Sequence, residues 1–158
     1  MVPPKRAPFQ VLVVPFRKAA QGLEVAVFRR ADYDVWQFVS GGGEGAESPE
    51  AAARRELVEE AGVVADAVMA LDSMTMIPGC WFHAWQDWPD DVLLIPEHAF
   101  AVDAAAAAVV LSSEHLEFEW LSVAHAMERL RFDSNKNALW ELSERLYPRQ
   151  RCKRPAYR

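Results

Sequence analysis

Three carboxylates, Glu56, Glu59 and Glu60, fall within one turn of a predicted helix. Residues three and four positions apart are neighbours on a helix, so these side chains should lie within about 6 Å of one another. At an effective dielectric of about 20, each such pair of charges repels by roughly 2 to 3 kcal/mol before salt screening. A marginally stable domain needs compensation for that repulsion, and a divalent cation supplies it.

The alternative interpretation of this cluster is a solvated helix face whose carboxylates are paired with arginines. Arg54 and Arg55 are the only cations between Glu47 and Val63. Because Glu47 and Glu50 compete for them, the sequence predicts too few positive partners for the three carboxylates. We therefore favour a metal site over a solvated face.

The carboxylates belong to a longer pattern that starts in a glycine-rich stretch. From Gly41 the sequence reads GGGEGAESPEAAARRELVEEAGV, with Glu47 near its start and Arg55 directly before the first of the three carboxylates. This stretch resembles the Nudix box, the signature of hydrolases that act on a nucleoside diphosphate linked to another group. Every specified position of that signature is filled, so the match is far more specific than a lone phosphate-loop glycine pattern.

The resemblance to Nudix hydrolases implies hydrolysis of a pyrophosphate link with Mg²⁺ as the cofactor, for which Mn²⁺ can substitute. It implies that the carbonyl of Gly41 joins the three helix carboxylates as a metal ligand. It also implies that Glu47 and Arg55 pair and hold the glycine segment against the helix. A base must remove a proton from the attacking water, and Glu56 and Glu59 are both candidates.

One more metal carboxylate is expected from outside the box. Residues 111–121, LSSEHLEFEWL, resemble a segment of the bacterial dihydroneopterin triphosphate and dATP pyrophosphohydrolases. In that branch of the family, the segment supplies a metal ligand just before a tryptophan-bearing strand. Matching the Glu-His and Trp-Leu positions indicates Glu114. Glu117 and Glu119 are the alternatives, although strand residues that face solvent would give the same pattern.

The likeness to this branch extends over most of residues 5–146 and implies substrate-binding residues outside the metal cluster. The candidates are Arg29, Arg30, Trp36, Gly42, Asn135 and Lys136. Either of the two arginines could neutralise a triphosphate, and the backbone amides at a helix N-terminus favour an anion near Asn135. Capping of that helix by Ser134 explains the last segment equally well.

A tryptophan-rich segment follows the box at some distance. Trp81, Trp85 and Trp88 all occur within residues 81–88. These rings could close over a base as a stacking lid, or they could form a local apolar patch. The sequence does not decide between these interpretations, and the identity of the substrate ring stays open.

Apolar periodicity predicts the strands that must position these residues. Segments 9–16 and 22–30 should form a hairpin, with the second strand buried on one face, and segment 36–39 should deliver the chain to a glycine loop. Further predicted elements are strands at 68–77, 97–102, 107–111 and 117–121 and helices at 123–130 and 135–146. This order fits the α/β/α sandwich with a central mixed sheet that the Nudix resemblance implies.

The box helix itself has clear start and stop signals. Ser48 should cap it, Pro49 should occupy its first turn, and Gly62 should end it. The carboxylates should look into a cleft while the opposite face packs on the sheet. That predicted apolar face consists of Ala53, Leu57, Val58 and Ala61.

The chain has 158 residues, 51% of them apolar, and a formal net charge of −6. We expect a single domain over residues 1–158, with a core at about 8–147 and a solvated basic tail at 148–158. The negative charge argues against a nucleic-acid partner. No apolar run reaches the roughly 18 residues of a membrane span, and no signal peptide is evident, so we expect a cytoplasmic protein. Cys80 and Cys152 are too few for a disulfide framework or a zinc site.

Three functional interpretations follow, all with a small phosphate-bearing partner. The first is a pyrophosphohydrolase that converts dATP, another nucleoside triphosphate or dihydroneopterin triphosphate to a monophosphate and pyrophosphate. The second is a hydrolase of ADP-ribose or a dinucleoside polyphosphate. The third is a nucleotide-binding module without turnover, for which the box carboxylates should be eroded, whereas all three are present.

Overall fold

The computed structural model describes residues 2–149, and a seven-stranded sheet forms the centre of that part of the chain. The predicted basic tail lies outside the described residues from position 150 onward. The strands are β1 (Arg6–Ala19), β2 (Gly22–Arg30), β3 (Trp36–Gln37), β4 (Val39–Glu44), β5 (Met69–Pro78), β6 (Leu94–Asp103) and β7 (His115–Ser122). The helices are α1 (Pro49–Ala61), α2 (Val123–Arg129) and α3 (Asp133–Leu146), and two short 3-10 turns are Gly79–Trp81 and His83–Asp87.

β1 is the organising strand because it pairs with three others. Its first part runs antiparallel to β4, its last part runs antiparallel to β2, and its other edge runs parallel to β6. β6 pairs antiparallel with β5, while β2 pairs antiparallel with β3 and β7. The sheet is therefore mixed, as the sequence predicted.

Helices cover both faces of this sheet. Successive residues of a strand point to opposite faces, so β1 places Val11 and Val13 in one core and Leu12 and Val14 in the other. α1 packs into the first core, and α2 and α3 pack into the second. This arrangement confirms the predicted α/β/α sandwich. Among the described helices, none is both long enough and apolar enough to cross a bilayer.

The prediction that β2 is buried on one face only was wrong. Val25, Ala26, Val27 and Phe28 are all fully buried. The reason is that helices lie on both sides of the sheet, which buries both faces of its inner strands. The hairpin between β1 and β2 is present as predicted.

The predicted strand at 107–111 was also wrong, since these residues form neither a strand nor a helix. They run past the C-terminal end of α1, where the Val110 amide donates to the carbonyl of Ala61 at 2.8 Å. Val109 and Leu111 pack against the core beneath α1. Their apolar character therefore serves packing on a helix end rather than pairing in the sheet.

The predicted glycine loop is mostly strand. Gly41, Gly42 and Gly43 lie within β4, and of the glycines in this stretch only Gly45 has a positive φ, of 54°. Close approach explains the first three positions. A Cβ on Gly41 would overlap the Glu56 carboxylate, and one on Gly42 would overlap a guanidinium from the start of β1.

α1 begins and ends as predicted. The Ser48 hydroxyl accepts a hydrogen bond from the Ala51 amide, and Gly62 ends the helix with a φ of 65°. Its packed face differs from the prediction at two positions, because Val58 is 46% exposed and Glu60 is only 4% exposed. Glu60 is seven residues after Ala53 and so falls on the same helical stripe, which explains its burial.

Candidate active site

A cleft of about 760 Å³ lies where β1 and β4 meet the N-terminal part of α3 and the 3-10 turn Gly79–Trp81. Three of its lining residues are carboxylates proposed from the sequence, namely Glu56, Glu60 and Glu114. Two come from α1, and the third comes from the turn before β7. A concave site of this volume can enclose a nucleotide-sized ligand.

Glu60 is the most deeply buried of the three carboxylates. Its Oε2 accepts from the Ser40 amide at 3.4 Å and lies 3.7 Å from Nε2 of His115. Burial, reinforced by the charges of Glu56 and Glu114, raises the pKa of Glu60 to about 8. Burial lowers the pKa of His115, so the imidazole is a poor source of compensating charge.

Glu56 lies against the backbone of β4, with its carboxylate in the space that the missing side chain of Gly41 leaves open. Its side chain is 12% exposed, and Oε1 accepts from Nη1 of Arg55 at 2.9 Å. Burial raises the pKa of Glu56, although Arg55 acts in the opposite direction. The structure places Glu56, which the sequence indicated as a metal ligand and a candidate base, in the cleft beside Gly41.

Glu59 does not line the cleft. Its side chain is 56% exposed, and Oε2 accepts from Nη1 of Arg55 at 3.1 Å. One arginine thus contacts both Glu56 and Glu59. The sequence predicted too few positive partners for the three helix carboxylates, and a single guanidinium is shared by Glu47, Glu56 and Glu59.

Arg55 is the centre of a network that joins α1 to β4. Its Nη2 donates to Oε1 of Glu47 and to the carbonyl of Gly42, both at 2.7 Å, and its Nε donates to Oε2 of Glu47 at 3.3 Å. Glu47 also accepts from the Glu44 amide at 2.8 Å. The hydrogen bond from Arg55 lowers the pKa of Glu47 below its ordinary value. The pairing expected of these residues is therefore present in the structure.

Glu114 and its two alternatives occupy different surroundings. Glu114 is exposed and lines the cleft, whereas Glu117 pairs with Arg29 at 3.3 Å and Glu119 pairs with Arg129 at 3.2 Å. The pairing register of β2 and β7 shifts between Arg29 and Arg30. The shift adds one residue to β7 between His115 and Glu117, and neither Glu117 nor Glu119 lines the cleft.

The substrate-binding candidates separate into two groups. Arg30, Gly42 and Asn135 line the cleft, and Arg29, Trp36 and Lys136 do not. Arg29 and Arg30 point to opposite faces of β2 because they are consecutive strand residues. Trp36 packs on the far face, where the Arg129 guanidinium lies 4.7 Å from its ring centroid. These three expected substrate contacts are therefore not supported by the placement of the residues.

Asn135 has a structural contact as well as a place in the cleft. It is buried, and its Oδ1 accepts from the Phe38 amide at 2.8 Å, which ties α3 to the connection between β3 and β4. Ser134 does not cap α3, because the residue at the N-cap is Phe132 and Ser134 lies within the helix. Of the two interpretations left open for this segment, capping by Ser134 is therefore excluded.

Sequence reasoning missed Arg6, which lines the cleft at the start of β1. Its guanidinium occupies the space above Gly42, lies 5.0 Å from the ring centroid of Phe82 and donates to Gln10. The buried Nε of Arg6 has no hydrogen-bond partner within residues 2–149. A basic residue three positions before the first predicted strand was the available signal.

Glu97, on β6, was also missed. It lines the cleft and is 7% exposed. Burial raises its pKa, and a hydrogen bond with Ser134 partly offsets that effect. The signal was a glutamate inside the apolar strand sequence LIPEHAFAV.

The three tryptophans do not act together. Trp81 is 73% exposed and lines the cleft, as does its neighbour Phe82. Trp85 donates to the carbonyl of Val92, and buried Trp88 donates to the carbonyl of Arg6, each at 2.8 Å. The stacking interpretation therefore concerns Trp81, and the other two rings belong to the packing of their own segment.

The donor set fits a hard divalent cation by its chemistry, since carboxylate and carbonyl oxygens are the ligands that Mg²⁺ prefers. As the side chains stand, no three Asp, Glu, His or Cys residues within 2–149 converge closely enough to enclose an ion. Glu56, Glu60 and Glu114 nevertheless line the same cleft, and burial with the charges of Glu56 and Glu114 raises the pKa of Glu60. A bound cation would favour the ionised form of that carboxyl.

Comparisons with known proteins identify the family and the fold. The sequence model of the NUDIX domain matches residues 7–142. A dihydroneopterin triphosphate diphosphatase from Haemophilus influenzae is 30% identical over 132 residues, which cover 82% of this chain and 83% of that protein. A crystal structure described as a NUDIX hydrolase from Listeria monocytogenes has a TM-score of 0.80 and 43% identity, covering 89% of this chain and 94% of the other. The dihydroneopterin triphosphate pyrophosphohydrolase of E. coli has a TM-score of 0.72 and 23% identity over 89% of this chain and 98% of its own, and it shows a shared fold.

Proposed function

This chain belongs to the Nudix family of hydrolases, and on that premise we propose that it is a magnesium-dependent pyrophosphohydrolase of a triphosphate substrate. The proposed reaction is attack of water on the phosphate chain, which yields a monophosphate and pyrophosphate. The observation that carries the proposal is the meeting of Glu56, Glu60 and Glu114 in one cleft beside the backbone of Gly41.

The chain's own residues define roles at this site. When bound, Mg²⁺ or Mn²⁺ would neutralise phosphate oxygens and make a coordinated water more acidic. Glu60 and Glu114 would hold the ion from two different elements. Glu56 is better placed than Glu59 to remove the proton from the attacking water, because Glu56 lines the cleft and Glu59 is exposed. Glu59 would become a ligand only after leaving Arg55.

Two arginines in the cleft are suited to the phosphate chain. Arg6 has an unsatisfied Nε, and a guanidinium binds phosphate through paired N–H donors. Arg30 donates to Asp32 at 2.6 Å, so part of its charge is already balanced. We assign the stronger phosphate contact to Arg6.

The substrate class is the finer part of the proposal. The name of the Haemophilus influenzae relative supports a triphosphate carrying a pterin, and the cleft is large enough for a pterin or a nucleoside. Hydrolysis of ADP-ribose or of a dinucleoside polyphosphate remains the alternative, because the box residues handle the diphosphate group in every case. A binding module without turnover is less well supported. Such a module would not need the carboxylates Glu56, Glu59 and Glu60, and all three are present.

Product analysis tests the proposal and separates the alternatives. Purified protein with Mg²⁺ is incubated with dihydroneopterin triphosphate, the deoxynucleoside triphosphates, ADP-ribose and a dinucleoside polyphosphate. We expect pyrophosphate and a monophosphate in equal amounts from at least one triphosphate. Turnover confined to ADP-ribose or the dinucleoside polyphosphate would replace the proposed substrate class, and binding without turnover of any compound would support the non-catalytic module.

A further inference from the structure

Glu97 is a buried carboxyl for which the proposed hydrolysis has no use. It is 7% exposed, lines the cleft and forms no salt bridge with the described residues. The Ser134 side chain lowers the pKa of Glu97 and only partly offsets the effect of burial. Burying a carboxyl without a cationic partner costs free energy, so a ligand that supplies donors would explain its presence.

The sheet register fixes the distance of Glu97 from the phosphate end of the cleft. Gly42 is the partner of Gln10 across β4 and β1, and Gln10 is the partner of Glu97 across β1 and β6. Glu97 therefore lies two strand spacings, roughly 10 Å, from Gly42. Arg55 and Arg6 both reach Gly42, so this span separates the phosphate-binding end from Glu97. This distance is comparable to the combined length of the sugar and first phosphate of a nucleotide.

Aromatic side chains line the same cleft. Trp81 is 73% exposed and Phe132 is 45% exposed, and both line the cleft together with Phe82. Flat apolar faces of this kind stack on heteroaromatic rings, whichever ring it is. Stacking alone therefore gives affinity for any aromatic ring. Specificity for one kind of ring requires a directional hydrogen-bonding group.

We propose that Glu97 binds the 2-amino-4-oxopyrimidine edge that guanine and pterins share. That edge presents two adjacent donors, a ring N–H and an exocyclic amine, which match the two oxygens of one carboxylate. Hypoxanthine lacks the exocyclic amine, and adenine presents a ring acceptor where the N–H would be. Two donors aimed at the carboxylate also favour its ionised form. The proposal rests on the proposed function, since it places the ring of the triphosphate substrate in this cleft.

Binding of product-like monophosphates tests the contact independently of turnover. Calorimetry with dGMP, dIMP and dAMP in the presence of Mg²⁺ should show dGMP binding at least about tenfold more tightly than dIMP, which corresponds to ~1.4 kcal/mol. In Glu97→Gln, which retains the shape but loses one acceptor, the dGMP-to-dIMP preference should fall towards one. Glu128→Gln, at an exposed position on α2, is the matched control and should keep the wild-type preference.

Turnover measurements then show whether the bound ring is a guanine or a pterin. The ratio of kcat/KM for dGTP to that for dITP should fall in Glu97→Gln. Comparing kcat/KM for dihydroneopterin triphosphate with kcat/KM for dGTP then shows whether a pterin or a guanine fits better. Equal binding of dGMP and dIMP by the wild type, tighter binding of dAMP, or an unchanged preference in Glu97→Gln would each overturn the proposal. The first two comparisons need no variant, so they decide the matter even if Glu97→Gln does not fold. A dGMP preference without hydrolysis of any triphosphate would instead contradict only the proposed function.

Discussion

The carboxylate of Glu56 fills the space beside Gly41 where any other residue would carry its Cβ. The two residues are far apart in sequence, yet their contact joins β4 to α1 at the centre of the cleft. Gly41 lies in a strand with no positive φ. Its side-chain-free surface, rather than its conformational freedom, is therefore what the site requires.

This relationship predicts the effect of Gly41→Ala. The added methyl group should displace Glu56, lower the free energy of unfolding by about 1 to 3 kcal/mol through overpacking and lower turnover sharply. The same change in a Glu56→Ala background should cost much less stability, because the space is then empty. Denaturant unfolding of the four proteins measures this coupling, and additive effects of the two changes would contradict the close contact.

Arg55→Ala should reduce both stability and turnover. It removes the hydrogen bonds that Arg55 gives to Glu47 and Gly42 and leaves Glu47 partly buried without its partner. We expect a loss of about 2 to 4 kcal/mol in the free energy of unfolding. Arg54→Ala is the comparison on the same helix, because it removes an exposed pair with Glu50 and one hydrogen bond to the carbonyl of Ala65. We expect a smaller loss, of about 1 to 2 kcal/mol. A fully stable but inactive Arg55→Ala protein would disprove the positioning role.

Glu114→Gln should weaken metal binding and turnover together. Glu114 lines the cleft from a different element than α1, so its loss removes a charged oxygen donor without disturbing the helix. Glu117→Gln should have a mild effect, because Glu117 pairs with Arg29 away from the cleft. Magnesium titrations of turnover measure both variants. Normal turnover in Glu114→Gln together with loss of turnover in Glu117→Gln would instead identify Glu117, on β7, as the metal ligand.

Arg6→Met should raise KM for a triphosphate substrate by about tenfold or more while the protein stays folded. Removing a guanidinium takes away charge-assisted hydrogen bonds to phosphate, and such bonds contribute about 1.5 to 3 kcal/mol each. Methionine retains the length of the apolar stem and loses the contact of the guanidinium with the Phe82 ring. Arg149→Met, at an exposed position beside Glu144, serves as the charge-matched control. Equal KM values in the two variants would show that Arg6 does not bind the triphosphate.

Local signals made α1 predictable from the sequence. Ser48, Pro49 and Gly62 define the ends of the helix through bonds within a few residues, and the structure has those ends. The fixed spacing of the box likewise brought Glu47 to Arg55, because both lie on the same short segment. Interactions of this kind depend on neighbours in the chain, which a sequence shows directly.

Contacts between distant segments were beyond sequence reasoning. Glu97 and Arg6 enter the cleft only through the pairing of β1 with β4 and β6, and no local pattern reports that register. The choice between Arg29 and Arg30 needed the orientation of β2 in the sheet. The same limit led to the prediction of a loop at Gly41, where the constraint comes from a side chain on a different element.

The most direct test of the proposed chemistry is pyrophosphate release measured against Mg²⁺ concentration for the wild type and Glu60→Gln. The substrate is whichever triphosphate the wild type hydrolyses best. The change retains the shape of a buried side chain and removes a carboxyl that would hold the ion. We predict equimolar monophosphate and pyrophosphate from the wild type, complete loss with excess chelator, and turnover lower by at least about a hundredfold in a folded Glu60→Gln protein. Wild-type turnover that persists in chelator, or a Glu60→Gln protein as active as the wild type, would contradict the account.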